Sequence, residues 1–288
     1  MGSPFGSASP RNVFKGARGP MFPLTTIRDD VRIHCMVLER LGVRQVCMAV
    51  GHSMGGMHAL EWAFQGDFVR SIVPVAATGA QSAWGIAWAE AQRQSIFSDK
   101  DYQDGWYSQH RPPIRGLRAA GMCALLTRRS KSAVEGSRYP SLGTSLGTEL
   151  AYGNTSNNGS PSGKMFPVPS SDTHKDSDSF ARQFDANCYI ALTRKMDTHD
   201  VGRGRSINES VQDALATIQQ PALVIGVTSD ILHPIQEQHE LAESIPNGRL
   251  CIIESSDGHD AVLSSAAPYL NKAILEFRQE VLPDIVYD

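Results

Sequence analysis

The chain has 288 residues, of which 41% are hydrophobic and 20% charged, and its formal net charge is −3. This length suits one large α/β domain or two small ones, and the composition is that of an ordinary globular protein. The small negative charge does not support nucleic-acid or anionic-membrane binding as the main activity, and no apolar run reaches the roughly 18 residues of a membrane-spanning helix.

The five cysteines are spread singly along the chain, at Cys35, Cys47, Cys123, Cys188 and Cys251. An odd number without a CxxC pair favours neither a disulfide framework nor a zinc site, so we expect no metal. The N-terminal segment also lacks the apolar core of a secretory signal. We therefore expect a cytoplasmic protein with reduced thiols.

The first third of the chain alternates between helical and strand patterns. Thr26 suits the N-cap of an amphipathic helix that carries acidic residues in its first turn. An apolar strand follows at 44–51, then a helix over 54–66, a second apolar strand at 69–76 and an amphipathic helix over 83–97.

The middle of the chain interrupts this alternation. From about 140 to 178 the sequence is dominated by Ser, Gly, Asn, Thr and Asp. Such a segment cannot bury enough apolar surface to offset the entropy of ordering it, so we expect it to be poorly ordered. We predict that 84–205 is a helical lid inserted into a core formed by 1–83 and 206–288.

The last third alternates again. Strands are predicted at 221–227 and 249–255, and helices over 234–245 and 260–281. Continuous apolar strands that alternate with helices predict an α/β protein with a mainly parallel sheet covered on both faces.

The segment Gly51-His52-Ser53-Met54-Gly55 fits the pattern G-x-S-x-G between a predicted strand and a predicted helix. A serine on such a sharp turn tolerates no bulky neighbours, which explains the glycines. The turn would expose the Ser53 hydroxyl as a nucleophile and place the Met54 N–H at a helix N-terminus, facing a developing oxyanion. The alternative is an ordinary tight turn with a capping serine.

A nucleophilic serine needs a histidine base and an acid that orients it. Of the nine histidines, only His259 lies in a loop just beyond the final predicted strand. Asp230 ends the preceding strand, and the chain order serine, acid, histidine suits this class of fold. Asp257 and Asp260 are rival acids, but both lie too near His259 in sequence to orient it well. We predict a triad of Ser53, Asp230 and His259, with structural polar residues as the alternative.

Several longer strings also stand out, among them GSPFGSASP, SMGGMHALEWAF, EAQRQSIFSD and FDANCYIALTRKMDTHDVGRGR. Together they resemble the homoserine O-acetyltransferase family of α/β-hydrolase-fold enzymes, and within it the fungal branch that includes deacetylcephalosporin-C acetyltransferase. The likeness runs from Gly2 to about Gly136 and from Phe180 to the end. It implies the α/β-hydrolase fold with an inserted lid.

The resemblance implies an acetyl transfer in two steps. Ser53 would attack the thioester of acetyl-CoA, a co-substrate rather than a bound cofactor, with His259 as base and Asp230 holding the imidazole. The hydroxyl of a small acceptor would then attack the acetyl-serine. The family also implies that Asp260 holds the acceptor's amino group, although a helix N-terminal acid is an equally good interpretation of that residue. A homodimer is a further expectation from the family.

The chain departs from the family pattern in three respects, one of which is the polar segment SSDTHKDSDSF where the family has a helix before the FDAN element. Family members begin considerably earlier, with strands of which one lies beside the nucleophile strand and supplies a second oxyanion donor. We therefore expect an N-terminally truncated fold in which 45–50 form an unpaired sheet edge, and losing one oxyanion donor typically costs about 10²–10³ in rate. In addition, Gly121 replaces an arginine that the family associates with substrate binding, and Arg128 replaces a tyrosine.

Three hypotheses follow from the sequence. The first is an O-acetyltransferase whose acceptor is homoserine, serine or a secondary-metabolite alcohol such as deacetylcephalosporin C. The second is a serine esterase on the same fold, favoured by His52 because the sequence Gly-His-Ser-Met-Gly-Gly is common among esterases. The third is a non-catalytic member of the family, favoured by the expected truncation and by Gly121.

Overall fold

The computed structural model of the protein describes residues 1–12, 18–136, 181, 183–206 and 208–285. Within these ranges four parallel strands form one sheet in the order β1-β2-β3-β4. The strands are β1 (Ala49–His52), β2 (Ile72–Val75), β3 (Ala222–Val227) and β4 (Gly248–Ile253). The parallel α/β architecture predicted from the sequence is therefore confirmed.

Helices connect the strands and cover the sheet. In chain order they are α1 (Ile27–Arg40), α2 (Met54–Ala63), α3 (Ala83–Phe97), α4 (Ile114–Arg128), α5 (Lys131–Gly136), α6 (Ala186–Asp197), α7 (Val211–Leu215), α8 (Ile235–Ser244) and α9 (Ala267–Val281). Short 3₁₀ segments lie at Gly19–Met21, Gly66–Phe68, Gln103–Gly105 and His259–Leu263. None of the helices in the described ranges combines the length and apolar character that a membrane crossing requires.

Neighbouring residues of the central strands pack into different apolar clusters. Ile72 and Val224 belong to a cluster shared with α1, α2, α7 and α8, whereas Val73 and Ile225 belong to a second cluster shared with α9. Because side chains alternate along a strand, both faces of β2 and β3 are buried. This explains why these strands are continuous apolar runs in the sequence rather than alternating ones.

Helices α3, α4 and α6 have an apolar cluster of their own, which includes Ile96, Leu117 and Ile190. They lie between β2 and β3 in the chain, where the sequence predicts a lid. The bounds of that lid stay a prediction, and the segment expected to be poorly ordered, 140–178, lies outside the described residues.

Several predicted elements differ in detail from the structure; the strand predicted at 69–76, for example, spans only Ile72–Val75. The strand predicted at 44–51 is shorter, and only an isolated bridge between Val46 and Val69 extends it backwards. The helix predicted over 260–281 is interrupted, since a 3₁₀ turn ends at Leu263 and α9 begins at Ala267. Pro268 explains the new start, because proline is accepted in the first turn of a helix but not inside one.

Strand β1, which carries the serine motif at its end, lies at the edge of the sheet. In the described part of the chain it pairs with β2 alone, as the sequence led us to expect. Val50, whose side chain belongs to this edge strand, is 50% exposed.

A buried carboxylate ties α2 to its neighbours. Glu61 is 1% exposed and makes two contacts with the Arg205 guanidinium, at 2.6 and 3.0 Å. Arg28 of α1 lies 3.4 Å from the same carboxylate, and the Arg205 guanidinium lies 3.7 Å from the centre of the Phe64 ring. This cluster fixes the helix that follows the serine motif against α1 and the segment after α6.

Replacing Glu61 with glutamine should destabilise the protein by about 3 kcal/mol, because it removes one partner of a buried ion pair and leaves the arginine charge uncompensated. Urea unfolding would measure the loss. The matched control is Asp284→Asn, which breaks the exposed pair with Arg70 and should leave the free energy of unfolding unchanged within error. Equal effects of the two substitutions would contradict this account of Glu61.

Candidate active site

Ser53 sits on a strained turn between β1 and α2. Its backbone has φ 56° and ψ −120°, a conformation that residues with a side chain rarely adopt. The Ser53 N–H donates to the Val75 carbonyl at 2.9 Å, and its own carbonyl accepts from the N–H groups of Gly56 and Met57. The sheet and the helix therefore hold the serine from both sides.

Two glycines of this segment, Gly51 and Gly56, are required by close approach of neighbouring atoms. A Cβ at Gly51 would lie 2.0 Å from the carbonyl oxygen of Gly55, and a Cβ at Gly56 would lie 2.5 Å from the Cβ of Ala77. Neither position can hold a side chain without moving the backbone of α2 or β2. This is the steric reason for glycine at these two positions, whereas a Cβ at Gly55 would meet no atom within 4 Å, so space does not require the second glycine of G-x-S-x-G.

The first turn of α2 begins at Met54, directly after the serine. The leading N–H groups of a helix have no acceptor within the helix, and they lie at the positive end of its dipole. The Met54 N–H is the first of these groups, and Met54 stays the predicted oxyanion donor.

His259 and Asp230 form a buried pair. The His259 Nδ1 lies 2.7 Å from the Asp230 Oδ2, and the two side chains are 1% and 0% exposed. The other oxygen of Asp230 accepts from the backbone N–H groups of Leu232 and His233, at 2.8 and 3.0 Å, which fixes the direction of the carboxylate. The Nε2 of His259 is buried and has no hydrogen-bond partner within the described residues.

His52 connects this pair to the serine turn. Its Nε2 lies 3.1 Å from the His259 carbonyl oxygen, and the centres of the two imidazole rings are 4.5 Å apart. Since His52 precedes Ser53 directly, this contact brings the histidine loop to the serine. Burial and the charge of His259 lower the pKa of His52 to about 4, so the ring is neutral near pH 7 and carries its proton on Nε2, the atom that faces the carbonyl.

A cavity with a volume of about 320 Å³ opens above Ser53. Its roof is formed by one face of each of three helices, α3, α4 and α6. On α3 the lining residues recur at the spacing i, i+3, i+4, i+7, and they are Gly85, Trp88, Ala89 and Gln92. On α4 the same spacing holds for Gly121, Ala124, Leu125 and Arg128.

Two lining residues that the sequence analysis did not single out carry unpaired polar atoms. The Oε1 of Gln81 and the Nε1 of Trp88 are buried and have no hydrogen-bond partner within the described residues. Buried polar atoms are normally paired, so these two are available to a bound molecule. Nothing in the sequence marks either atom as unpaired, because Gln81 precedes α3 and Trp88 is one of several apolar or aromatic residues on it; only the position of the cavity identifies them.

Asp260 lies in the 3₁₀ turn that begins with His259. Its carboxylate is 3.2 Å from the Nε of Arg128, and its side chain is 29% exposed. It is not among the residues that line the cavity, whereas Arg128 is. Asp260 therefore contacts the lining residue Arg128 from the first turn of a short 3₁₀ helix. Both interpretations made from the sequence, a group that holds the acceptor's amino group and a helix N-terminal acid, stay open.

A family model described as the alpha/beta hydrolase fold matches residues 2–266 of the chain. The chain is 44% identical to a homoserine O-acetyltransferase of Emericella nidulans, over 99% of this chain and 72% of that protein. It is 46% identical to the homoserine O-acetyltransferase FUB5 of Fusarium oxysporum f. sp. lycopersici, over 99% of this chain and 84% of that protein.

Solved structures show the same fold at lower identity. An acetylester hydrolase from Corynebacterium glutamicum has a TM-score of 0.79 and 20% identity, covering 94% of this chain and 72% of that one. A homoserine O-acetyltransferase from Bacillus anthracis has a TM-score of 0.77 and 20% identity, covering 94% of this chain and 70% of that one. Because hydrolases and transferases share this fold, the fold alone does not decide between them.

Ser53 should react with a fluorophosphonate, which labels activated serines, and Ser53→Ala should abolish the labelling. Asp230→Asn should slow it about 10³- to 10⁴-fold, because the buried amide no longer holds the imidazole in the required tautomer. The labelling rate, followed by mass spectrometry, measures the effect. Asp257→Asn is the matched control, since the Asp257 carboxylate accepts from Ser265 and should leave the rate unchanged. Equal slowing by both substitutions would contradict the assignment of Asp230.

The free energy of unfolding should fall as the pH decreases from about 6.5 to about 4. Burial lowers the pKa of His52 and of His199 to about 4, below the ordinary value of 6.5, so the unfolded chain binds more protons in this window. The contribution of these two histidines to the free energy of unfolding is complete above pH 6.5. It is lost as the pH falls through their folded-state pKa. His52→Gln should flatten this dependence in urea unfolding, whereas substitution of the exposed His110 by glutamine should not. An unchanged slope in His52→Gln would show that His52 does not couple folding to pH.

Proposed function

This chain belongs to the homoserine O-acetyltransferase family of α/β-hydrolase-fold enzymes, and from that premise we propose that it transfers an acetyl group from acetyl-CoA to the hydroxyl of homoserine through an acetyl-serine. The observation that carries the proposal is the 44% identity to a protein named homoserine O-acetyltransferase, over 99% of this chain. The arrangement of Ser53, His259 and Asp230 supports it, because it contains the groups that such a transfer needs.

The first half of the reaction forms the acetyl-enzyme. The Ser53 Oγ attacks the thioester carbonyl while the Nε2 of His259 takes the hydroxyl proton, and the Met54 N–H stabilises the oxyanion of the tetrahedral intermediate. The carbon–sulfur bond then breaks, and the imidazolium returns the proton to the departing sulfur, releasing CoA as the thiol. Asp230 keeps the Nδ1 proton in place and stabilises the imidazolium.

The second half transfers the acetyl group to the acceptor. The acceptor hydroxyl gives its proton to the Nε2 of His259 and attacks the acetyl-serine carbonyl. Collapse of the intermediate breaks the bond to Ser53, whose oxygen recovers the proton from the imidazolium. The products are O-acetylhomoserine and the free serine, so the enzyme returns to its starting state and no bound cofactor is needed.

The esterase hypothesis differs only in the second nucleophile, which would be water. Two observations weigh on the choice. The curated relatives at 40–46% identity carry the name homoserine O-acetyltransferase, which favours an alcohol. The cavity lining is mostly apolar and includes Trp88, Leu125, Leu192 and Met196, which favours the exclusion of water from the acetyl-serine.

Purified protein incubated with acetyl-CoA should release CoA in multiple turnovers only when homoserine is present, and mass spectrometry should identify O-acetylhomoserine. Acid quenching without homoserine should trap one acetyl group on the peptide that contains Ser53. Ser53→Ala, shown to be folded by circular dichroism, should lose both signals. Multiple turnovers without homoserine would establish a hydrolase instead, and an unmodified Ser53 in folded wild-type protein would contradict the acetyl-serine.

A further inference from the structure

A chain of buried polar contacts runs from the cavity wall to the first turn of α2. Lys195 of α6 is 1% exposed, and its ammonium group pairs with the carboxylate of Asp30 of α1, which is 5% exposed. The Oδ2 of that carboxylate lies 3.2 Å from the Nε2 of His58, on α2. The Nδ1 of His58 lies 2.6 Å from the Met54 carbonyl oxygen, and it is the donor because a carbonyl oxygen only accepts. The contacts of three helices therefore end at the residue that follows Ser53.

Asp30 and Lys195 form a structural pair within this chain of contacts. Burial raises the pKa of the Asp30 carboxyl group, but the contacts with His58 and Lys195 outweigh it, so the pKa lies below its ordinary value. The Oδ1 of Asp30 lies 2.7 Å from the Met1 amino nitrogen. A buried charge is costly unless it is paired, which explains why Asp30 and Lys195 lie together. It does not explain the hydrogen bond from His58 to a backbone carbonyl.

The hydrogen bond from His58 fixes the peptide group that follows Met54. The peptide group that precedes Met54 contains the Ser53 carbonyl, which accepts from the N–H groups of Gly56 and Met57. Hydrogen bonds therefore hold both peptide groups that flank the Met54 Cα. Because the atoms of a peptide group are coplanar, the direction of the Met54 N–H is fixed with them.

The start of α2 needs such support because it lacks the usual cap. The helices α1, α3 and α6 begin after Thr26, Ser82 and Asp185, whose side chains each accept from an N–H of the first turn. The residue at this position of α2 is Ser53, whose side chain makes no capping hydrogen bond. A hydroxyl that serves as the nucleophile is not free to cap the helix, and His58 supports the first turn from one turn further along.

We propose that His58 is a positioning residue for the reaction, because its hydrogen bond to the Met54 carbonyl holds the predicted oxyanion donor in the direction that the tetrahedral intermediate requires. The inference rests on the proposed function and assigns a task within it. Asp30 orients the imidazole from the other side. Lys195 connects Asp30 to α6, a helix of the cavity wall.

A purely structural role for His58 is the alternative. Its imidazole also stacks on that of His34, with 6.0 Å between the ring centres, so the side chain contributes to packing between α1 and α2. The two roles change different quantities. Loss of positioning lowers the rate constant of each folded molecule, whereas loss of packing lowers the number of folded molecules.

The test compares His58→Leu and His58→Gln with wild type in the labelling of Ser53 by a fluorophosphonate. The final extent of labelling counts the folded molecules, and the rate constant reports how well the oxyanion donor is aligned. His58→Leu removes the donor and should lower the rate constant by about 10- to 100-fold, the scale of a misplaced reacting group. His58→Gln, whose amide can still donate to the Met54 carbonyl, should slow labelling less.

Acetyl transfer supplies the second measurement. Both half-reactions use the same oxyanion donor, so kcat should fall in His58→Leu by a factor similar to that for labelling, with the KM for acetyl-CoA unchanged. The matched control is His34→Ala, which removes the stacked, exposed imidazole but no hydrogen bond to α2, and should change neither rate.

Two outcomes would overturn the proposal. A wild-type rate constant in His58→Leu with fewer labelled molecules would leave His58 a packing residue only, and equal slowing by His34→Ala would show the same. The failure of the proposed function is distinguishable from both. If wild type is labelled at Ser53 but releases no CoA, the proposed function fails while the labelling rates still decide the role of His58; if wild type is not labelled, both are wrong.

Discussion

The close approach of β1 to α2 is the constraint on which the rest of the site depends. The backbone of Gly51 lies so near the carbonyl of Gly55 that no side chain fits between them, and this contact sets the sharp turn at Ser53. The turn places the serine hydroxyl and the first helical N–H groups on the same side of the sheet. A strained backbone turn persists only where surrounding contacts hold it in place. Here the backbone hydrogen bonds of Ser53 to β2 and α2 do so.

The two halves of the site come from different parts of the fold. The sheet positions the serine, the acid and the histidine, because each follows the carboxyl end of a parallel strand and these ends lie at one edge of the sheet. Helices α3, α4 and α6 deliver the cavity wall, and they share their own apolar cluster rather than that of the sheet. The groups proposed for chemistry are therefore held by the core, whereas most residues that line the cavity belong to helices that can vary with less effect on it.

Much of the site could be predicted from the sequence because its signals are local. The glycine pattern around Ser53 and the positions of Asp230 and His259 after apolar strands each need only a short window. The contact of His52 with the His259 carbonyl, the ion pairs of Glu61 and the unpaired atoms of Gln81 and Trp88 could not be found in this way. They arise between residues far apart in the chain, and no periodicity encodes them.

The anchored end of α4 has a mechanical consequence. The hydroxyls of Ser130 and Ser132 both donate to the Ser256 carbonyl, and Gly258 packs directly on the backbone of Arg128. A hinge at this end of the helix would pull on the loop that presents His259 to Asp230. A displacement of this part of the roof would therefore also displace the loop that carries His259, so the width of the cavity and the position of the imidazole are linked.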